Sequence, residues 1–238
     1  MSIAGYYQCY KQPKAFEHSL QEFRKHYPTS ELWIVNDGGD PNLETISKKY
    51  NPTHYELLER IDTNAITTIY TEMTQLIEWF RRLREFIMST KADFFILLED
   101  DVFIMAPTKI SDLNYDINGC NKNCRFDYRV EHIIRLRNPN VPTVLYNLYS
   151  GGFGGCFMRV SFLKSMLENF DAIINDINIY SEYSNLFASD IVLSYLVWSY
   201  GGTIDMYPGL AETWYEDIKE RLTSGSVEVL HKYKDLYE

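Results

Sequence analysis

The chain reads as an α/β protein built on a mostly parallel, mixed central sheet flanked by helices. Three observations predict this. Short apolar runs alternate with longer segments of helical periodicity through the first hundred residues, which is the pattern of strand–helix–strand units. Two of those runs, Leu32-Trp33-Ile34-Val35 and Phe94-Phe95-Ile96-Leu97-Leu98, are continuous in apolar residues, as buried strands are. Each run leads into an acidic turn, and ligands of such sheets bind outside the carboxyl ends of the strands.

Element by element, Ile3 to Tyr10 is a first strand. Pro13 to His26 carries Ala15, Phe16, Leu20 and Phe23 at helical spacing, and Pro13 stands where a helix starts. Leu32 to Val35 is a second strand, ended by the turn cluster Asn36-Asp37-Gly38-Gly39-Asp40-Pro41. Leu43 to Tyr50 reads as a short helix and Tyr55 to Leu58 as a third strand. A long helix falls within Thr67 to Ser89, with Ile69, Met73, Leu76, Ile77, Phe80, Leu83 and Ile87 on one stripe. Within it, Arg81-Arg82-Leu83-Arg84 reads as a solvated face. Phe94 to Leu98 is the fourth strand. Residues 108 to 140, rich in Asn, Asp and Arg, read as loop or periphery, and Tyr149 to Gly155 as a Gly-rich turn. Val160 to Phe170 is a helix, and Ile191 to Tyr200 a strongly apolar one stopped by Gly201-Gly202. Short strands follow near Thr203 to Tyr207 and Val227 to Leu230.

The 238 residues hold no internal repeat and no linker, so one domain spanning 1–238 is expected. A hydrophobic content of 45% excludes a disordered chain. The net charge of −10 disfavours nucleic acid as the main partner, because phosphate neutralisation needs clustered Lys and Arg. No stretch has the roughly 18 apolar residues of a membrane span. Met1 to Tyr6 has neither the basic start nor the apolar run of a signal peptide. Asn51-Pro52-Thr53 fails as a glycosylation acceptor because of its Pro. With Cys9, Cys120, Cys124 and Cys156 scattered, the expectation is a reduced, cytoplasmic protein. Cys120-x-x-x-Cys124 is at most half of a zinc site, with His132 its only nearby companion.

The strongest chemical signal is Glu99-Asp100-Asp101, directly after the fourth strand. Hard cations such as Mg²⁺ or Mn²⁺ take oxygen ligands and keep waters or substrate phosphates in the remaining positions. Successive side chains of an extended segment point opposite ways, so Glu99 and Asp101 face one side and Asp100 the other. Asp37 ends the second strand in the same manner. Gly151-Gly152-Phe153-Gly154-Gly155 permits close backbone approach. It is neither a P-loop, lacking Gly-Lys-Ser/Thr, nor a dinucleotide fingerprint. Asp190, in Phe187-Ala188-Ser189-Asp190-Ile191, opens an apolar helix. It reads either as a cap or as a general base. His231, at the end of a strand near the C-terminus, is able to complete an oxygen-rich metal site.

Taken together over roughly residues 3 to 235, these pieces resemble a nucleotide-sugar-dependent glycosyltransferase of the GT-A fold. In that superfamily an acidic strand-end motif, Asp-x-Asp in its loose form, follows the fourth strand, and Glu99-Asp100-Asp101 matches it with Glu in first place. The resemblance implies that Asp101 binds Mn²⁺ or Mg²⁺ directly, while Glu99 and Asp100 help hold the metal shell and the nucleotide ribose. It implies a base or ribose contact for Asp37. It places Gly151 and Gly152 in the segment lining the donor sugar, and gives His231 the role of a second metal ligand. Ser189-Asp190 resembles the acidic motif that supplies the catalytic base of inverting members. Retaining members related to glycogenin carry a His followed by Gly-x-x-Lys-Pro-Trp. His231-Lys232-Tyr233-Lys234 departs from that, which favours inversion. About 1–105 would then be the nucleotide-binding half and about 106–238 the acceptor-binding half. Trp214 or Tyr215 is expected to stack on the acceptor.

The partners implied are a nucleotide-sugar donor, with UDP favoured, and a saccharide or glycan acceptor. The rivals are a sugar-phosphate nucleotidyltransferase and a non-catalytic carbohydrate-binding protein. The first usually needs a Gly-rich basic loop near the first strand, which Tyr6-Tyr7-Gln8-Cys9-Tyr10-Lys11 does not supply.

Overall fold

The computed structural model describes residues 1–9, 12–58, 69–70, 73–119, 125–145, 154–185, 187–213 and 215–231. Along the chain the elements are β1 (Ile3–Cys9), α1 (Pro13–His26), β2 (Leu32–Asn36), α2 (Asn42–Lys48), β3 (His54–Leu57), β4 (Ile69–Tyr70) and α3 (Met73–Ser89). There follow β5 (Phe94–Leu98), β6 (Val102–Ile104), β7 (Ile117–Gly119), α4 (Tyr128–Arg137), β8 (Phe157–Arg159), α5 (Val160–Leu167) and α6 (Phe170–Tyr183). The last are β9 (Phe187–Ala188), α7 (Ser189–Ser199), β10 (Ile204–Met206), β11 (Leu210–Glu212), α8 (Ile218–Ser224) and β12 (Val229–His231).

The central sheet has seven strands in the order β10-β7-β8-β5-β1-β2-β3. Its β5-β1-β2-β3 half is parallel throughout, whereas β8 runs antiparallel to both β5 and β7. The expected mostly parallel, mixed sheet is what forms. The chain moves outward from β1 to β2 and β3, then returns on the other side of β1 as β5. The carboxyl ends of β1 and β5 therefore flank a switch point, where such sheets open a crevice. Glu99-Asp100-Asp101 leaves β5 at that edge. A second, three-stranded sheet of order β11-β12-β6 is built just beyond it, and a two-stranded one joins β4 to β9.

The inner parallel strands β1 and β5 are legible because their residues are buried on both faces. Every residue of β1 and of β5 is buried. The helix α1 starts at Pro13 and ends with Arg24, Lys25 and His26 in its last turn, where cations complement the helix dipole. The helix α7 is buried from Ser189 through Trp198 and packs on α4 and α6. A helix that is apolar all round belongs inside a core.

Four expectations need correction. The long helix, Met73–Ser89, lies within the expected span, but Ile69 is not on its stripe: it lies in β4, paired with Ala188 of β9. The stretch 108–140 is not peripheral. It holds β7, a strand of the central sheet, and α4, whose Asp127 side chain accepts the Arg129 amide at 2.9 Å. The polar composition hid β7 because Asn118 is fully buried there, its amide donating to the Tyr115 and Phe157 carbonyls. The helix expected over Val160 to Phe170 ends at Leu167, and a new helix, α6, begins at Phe170 under an Asn169 cap that accepts the Ala172 amide. Finally, Arg82 is not on a solvated face. It is 93% buried by its 7% exposure and bonds to Asp37.

Candidate active site

The Glu99 carbonyl accepts the Val102 amide at 3.1 Å, closing a tight turn through the three acids before β6 begins. Strand β6 then pairs antiparallel with β12 so that Val102 stands opposite His231. Asp101, one residue before Val102, is thus brought beside the imidazole. Glu99 Oε2 lies 3.7 Å and Asp101 Oδ1 3.5 Å from His231 Nε2. One donor atom from each of Glu99, Asp101 and His231 falls within 4.8 Å of the others. Asp100 turns the other way, as strand alternation requires, and accepts the Tyr7 hydroxyl of β1 at 2.9 Å.

The surroundings fit a divalent cation. Two carboxylates and an imidazole are a donor set for Mn²⁺ or Mg²⁺, with room left for waters and phosphate oxygens. Gly154 makes the space. A Cβ on it would come within 2.5 Å of His231 Cδ2, closer still to Nε2, and 3.0 Å from Glu99 Oε2. Its neighbour Gly155, at φ +79°, donates its amide to Leu97 O and carries the chain back onto β5. Only Glu99 offers the cluster much solvent access, its side chain being 31% exposed against 2% for His231. Behind the imidazole, Glu212 Oε1 sits 2.8 Å from Nδ1, fully buried.

The remaining candidates are not among these three clustered donors. Asp37 is buried beyond β2, where Arg82 of α3 donates to Oδ1 and Gln8 of β1 to Oδ2 at 3.3 Å. Burial pushes its carboxyl above the usual range, and the Arg82 guanidinium pulls it back in part. Asp190 is buried in the first turn of α7, with Oδ1 accepting the Ile191 amide at 2.8 Å. It is outside the group formed by Glu99, Asp101 and His231. Tyr215 is half-buried, packs on the small core of Ala211, Val227 and Leu230, and carries the Arg221 guanidinium 5.7 Å from its ring centre. Gly151, Gly152 and Trp214 lie outside the described residues, as do Cys120 and Cys124.

Sequence reasoning missed Glu212, Tyr7 and Arg82, and it named Gly154 only as part of the Gly-rich turn. Arg82 alone carried a signal: with Trp79, Leu83 and Phe86 it shares the three-and-four spacing of the buried stripe of α3. Glu212 reaches the site only through register, since β11 pairs with β12 so that Glu212 stands beside His231.

The fold, a mixed α/β sheet with an acidic turn leaving its carboxyl edge, is similar to that of solved glycosyltransferase structures. Among solved structures, the galactosyltransferase LgtC in complex with donor and acceptor sugar analogs aligns with 98% of this chain and 87% of its own, at TM-score 0.58 and 8% identity. An active-site mutant of LgtC aligns over the same shares at TM-score 0.56 and 11% identity. Core-mannan synthase A from Aspergillus fumigatus, in an Mn/GDP form, aligns over 83% of this chain and 69% of its own at TM-score 0.48 and 11% identity. No protein-family model and no curated protein matches the sequence. Among the described residues no helix is long and apolar enough to cross a membrane.

Proposed function

We propose that this protein is a metal-dependent glycosyltransferase that moves a sugar from a nucleoside-diphosphate donor to an acceptor hydroxyl. The observation that carries this reading is the convergence of Glu99, Asp101 and His231 at the carboxyl end of β5, within a fold shared with LgtC. Asp101 and His231, joined by Glu99, would hold Mn²⁺ or Mg²⁺. That ion supplies neutralisation of the charge growing on the diphosphate as the glycosidic bond breaks. Asp100, steadied by Tyr7, and Asp37, steadied by Arg82 and Gln8, would face the nucleotide, for which UDP is favoured. Gly151 and Gly152 would line the donor sugar, and Trp214 or Tyr215 the acceptor. The buried position of Cys9 and Cys156 is in keeping with the reducing, cytoplasmic setting proposed for the chain.

Asp190 is assigned the general base. It takes the proton from the acceptor hydroxyl as that oxygen bonds to the anomeric carbon and the diphosphate leaves from the opposite face, giving inversion. Support for this role is the place of Ser189-Asp190 at the start of α7. Base catalysis of this kind contributes on the order of 10² to 10⁴-fold. Asp190→Asn should lose that factor in kcat and keep donor affinity. Loss of donor binding, or a product of retained configuration by NMR of the anomeric proton, would remove Asp190 from the role.

The test of the whole reading is a thermal-shift screen of nucleotide sugars with and without Mn²⁺, since a ligand bound only by the folded state raises Tm. The expected hit requires metal, disappears in Asp101→Ala, and is followed by release of the free nucleoside diphosphate with an acceptor present. Pyrophosphate release from a nucleoside triphosphate and a sugar phosphate would point to a nucleotidyltransferase instead. Binding without turnover would point to a carbohydrate-binding protein.

A further inference from the structure

We infer that Glu212 is a positioning residue of the metal centre: it holds the His231 imidazole in the one tautomer and orientation that directs Nε2 at the cation. The inference rests on the metal-site reading above and adds to it a residue outside the Glu99–Asp101–His231 group.

Strand β11 pairs with β12 in parallel, and the register sets Glu212 beside His231. The Thr213 amide donates to the His231 carbonyl at 3.3 Å, which ties the two backbones together at that point. Glu212 and His231 are both buried, at 0% and 2% exposure. A carboxylate so placed is costly unless it is hydrogen-bonded. A site needing only packing would hold an apolar side chain here, as the adjacent Leu210 and Ala211 do. Instead Glu212 Oε1 approaches His231 Nδ1 at 2.8 Å. With Glu212 ionised its oxygens only accept hydrogen bonds, and the 2.8 Å contact then assigns the proton of a neutral imidazole to Nδ1. The lone pair then belongs to Nε2, the atom that faces Glu99 Oε2 at 3.7 Å and Asp101 Oδ1 at 3.5 Å. A ring held at Nδ1 also cannot turn about Cβ–Cγ to present carbon in place of nitrogen. Partners of this kind behind a metal-bound imidazole raise its basicity and fix its direction.

The test compares the full chain with Glu212→Gln, Glu212→Ala, Asp101→Ala and His231→Ala. Mn²⁺ affinity is read from the EPR signal of the free ion, and Tm is measured without metal. Glu212→Gln keeps the volume of the side chain but removes the obligatory acceptor. It is expected to weaken Mn²⁺ binding about ten- to a hundred-fold with a small change in metal-free Tm. In metal-free wild type, at a pH where the imidazole is neutral, ¹⁵N NMR should place the His231 proton on Nδ1. Glu212→Gln should shift that population toward Nε2–H. Wild-type Mn²⁺ affinity in Glu212→Gln, alongside loss in Asp101→Ala and His231→Ala, would overturn the positioning role and leave the metal site standing. An Nε2–H tautomer in wild type would overturn it too. Wild-type affinity in Asp101→Ala would overturn the metal site itself, and this inference with it. Should Glu212→Ala fail to fold, Glu212→Gln and the wild-type tautomer still decide the matter.

Discussion

Replacing Gly154 by Ala adds one methyl group, and its cost can be worked out from the structure. The cost is steric. The new Cβ would lie 2.5 Å from His231 Cδ2 and 3.0 Å from Glu99 Oε2, where ordinary contact begins near 3.4 Å. His231 cannot retreat, because Nδ1 is held to Glu212 and the ring is buried. Gly154 cannot retreat either, because the next amide is bonded to Leu97 O at 2.8 Å. Forcing a methyl group into such a site costs about 1–3 kcal/mol, which urea denaturation resolves. The displaced imidazole also gives up its alignment with Asp101, so Mn²⁺ affinity should fall at least ten-fold, the lower end of the loss seen when a ligand's orientation is disturbed. A double-mutant cycle isolates the cause. In a His231→Ala background the methyl has room, and Gly154→Ala should then be nearly neutral in stability. An equal penalty in both backgrounds, or unchanged Mn²⁺ affinity in Gly154→Ala alone, would refute the steric account of this glycine.

Two other perturbations test the ground under the site. Arg82→Met keeps the aliphatic stem but strands a buried Asp37. Breaking such a pair costs about 3–5 kcal/mol, read by urea denaturation. Burial already raises the Asp37 carboxyl, so its proton is bound more tightly in the folded state and its ionisation opposes folding. The penalty in Arg82→Met should therefore be largest above the folded-state pKa of Asp37 and shrink as pH falls through it; a pH-independent penalty would contradict this. Burial, aided by Asp100 and Asp37, also pushes the Cys9 thiol well above its ordinary range. With Cys120 and Cys124 changed to Ser, no thiol should react with DTNB at pH 8 in the native protein, and two should appear in denaturant.

The parallel half of the sheet was legible because each strand there is its own signal. Phe94 to Leu98 is apolar at every position, and the periodicity of Pro13 to His26 matches the helix that forms. The short strands were not legible in the same way. In β6, β7, β8 and β11 three residues each are held by pairing with partners far away in the chain. Three residues carry no period, and the polar Asn118 in β7 argued against a strand until its two carbonyl partners were known. Arg82 shows the opposite failure. Its spacing from Trp79 and Phe86 marked a buried face, but a cationic side chain flanked by Arg81 and Arg84 was read by charge instead of by position. Charge predicts exposure only when no opposite charge waits inside, and Asp37 is supplied by a loop forty-five residues earlier.

The site divides along the same line. Glu99, Asp100 and Asp101 are adjacent, so one strand end displays all three, and strand alternation separates Asp100 from the other two before any tertiary contact is considered. His231 is a different case. Its nearness to Asp101 exists only because β6 turns back from the acidic corner and takes β12 as an antiparallel partner, with Val102 opposite His231. Glu212 is one step further removed, since it needs β12 to be in place before β11 can dock in register on it. Ligand types are thus written locally, while the direction of the imidazole is written in the pairing of three short strands from the two halves of the chain. It follows that slipping β11 by one residue would turn the Glu212 side chain to the other face of its sheet. Glu99, Asp101 and His231 would all remain, yet the imidazole would lose the carboxylate that fixes its proton.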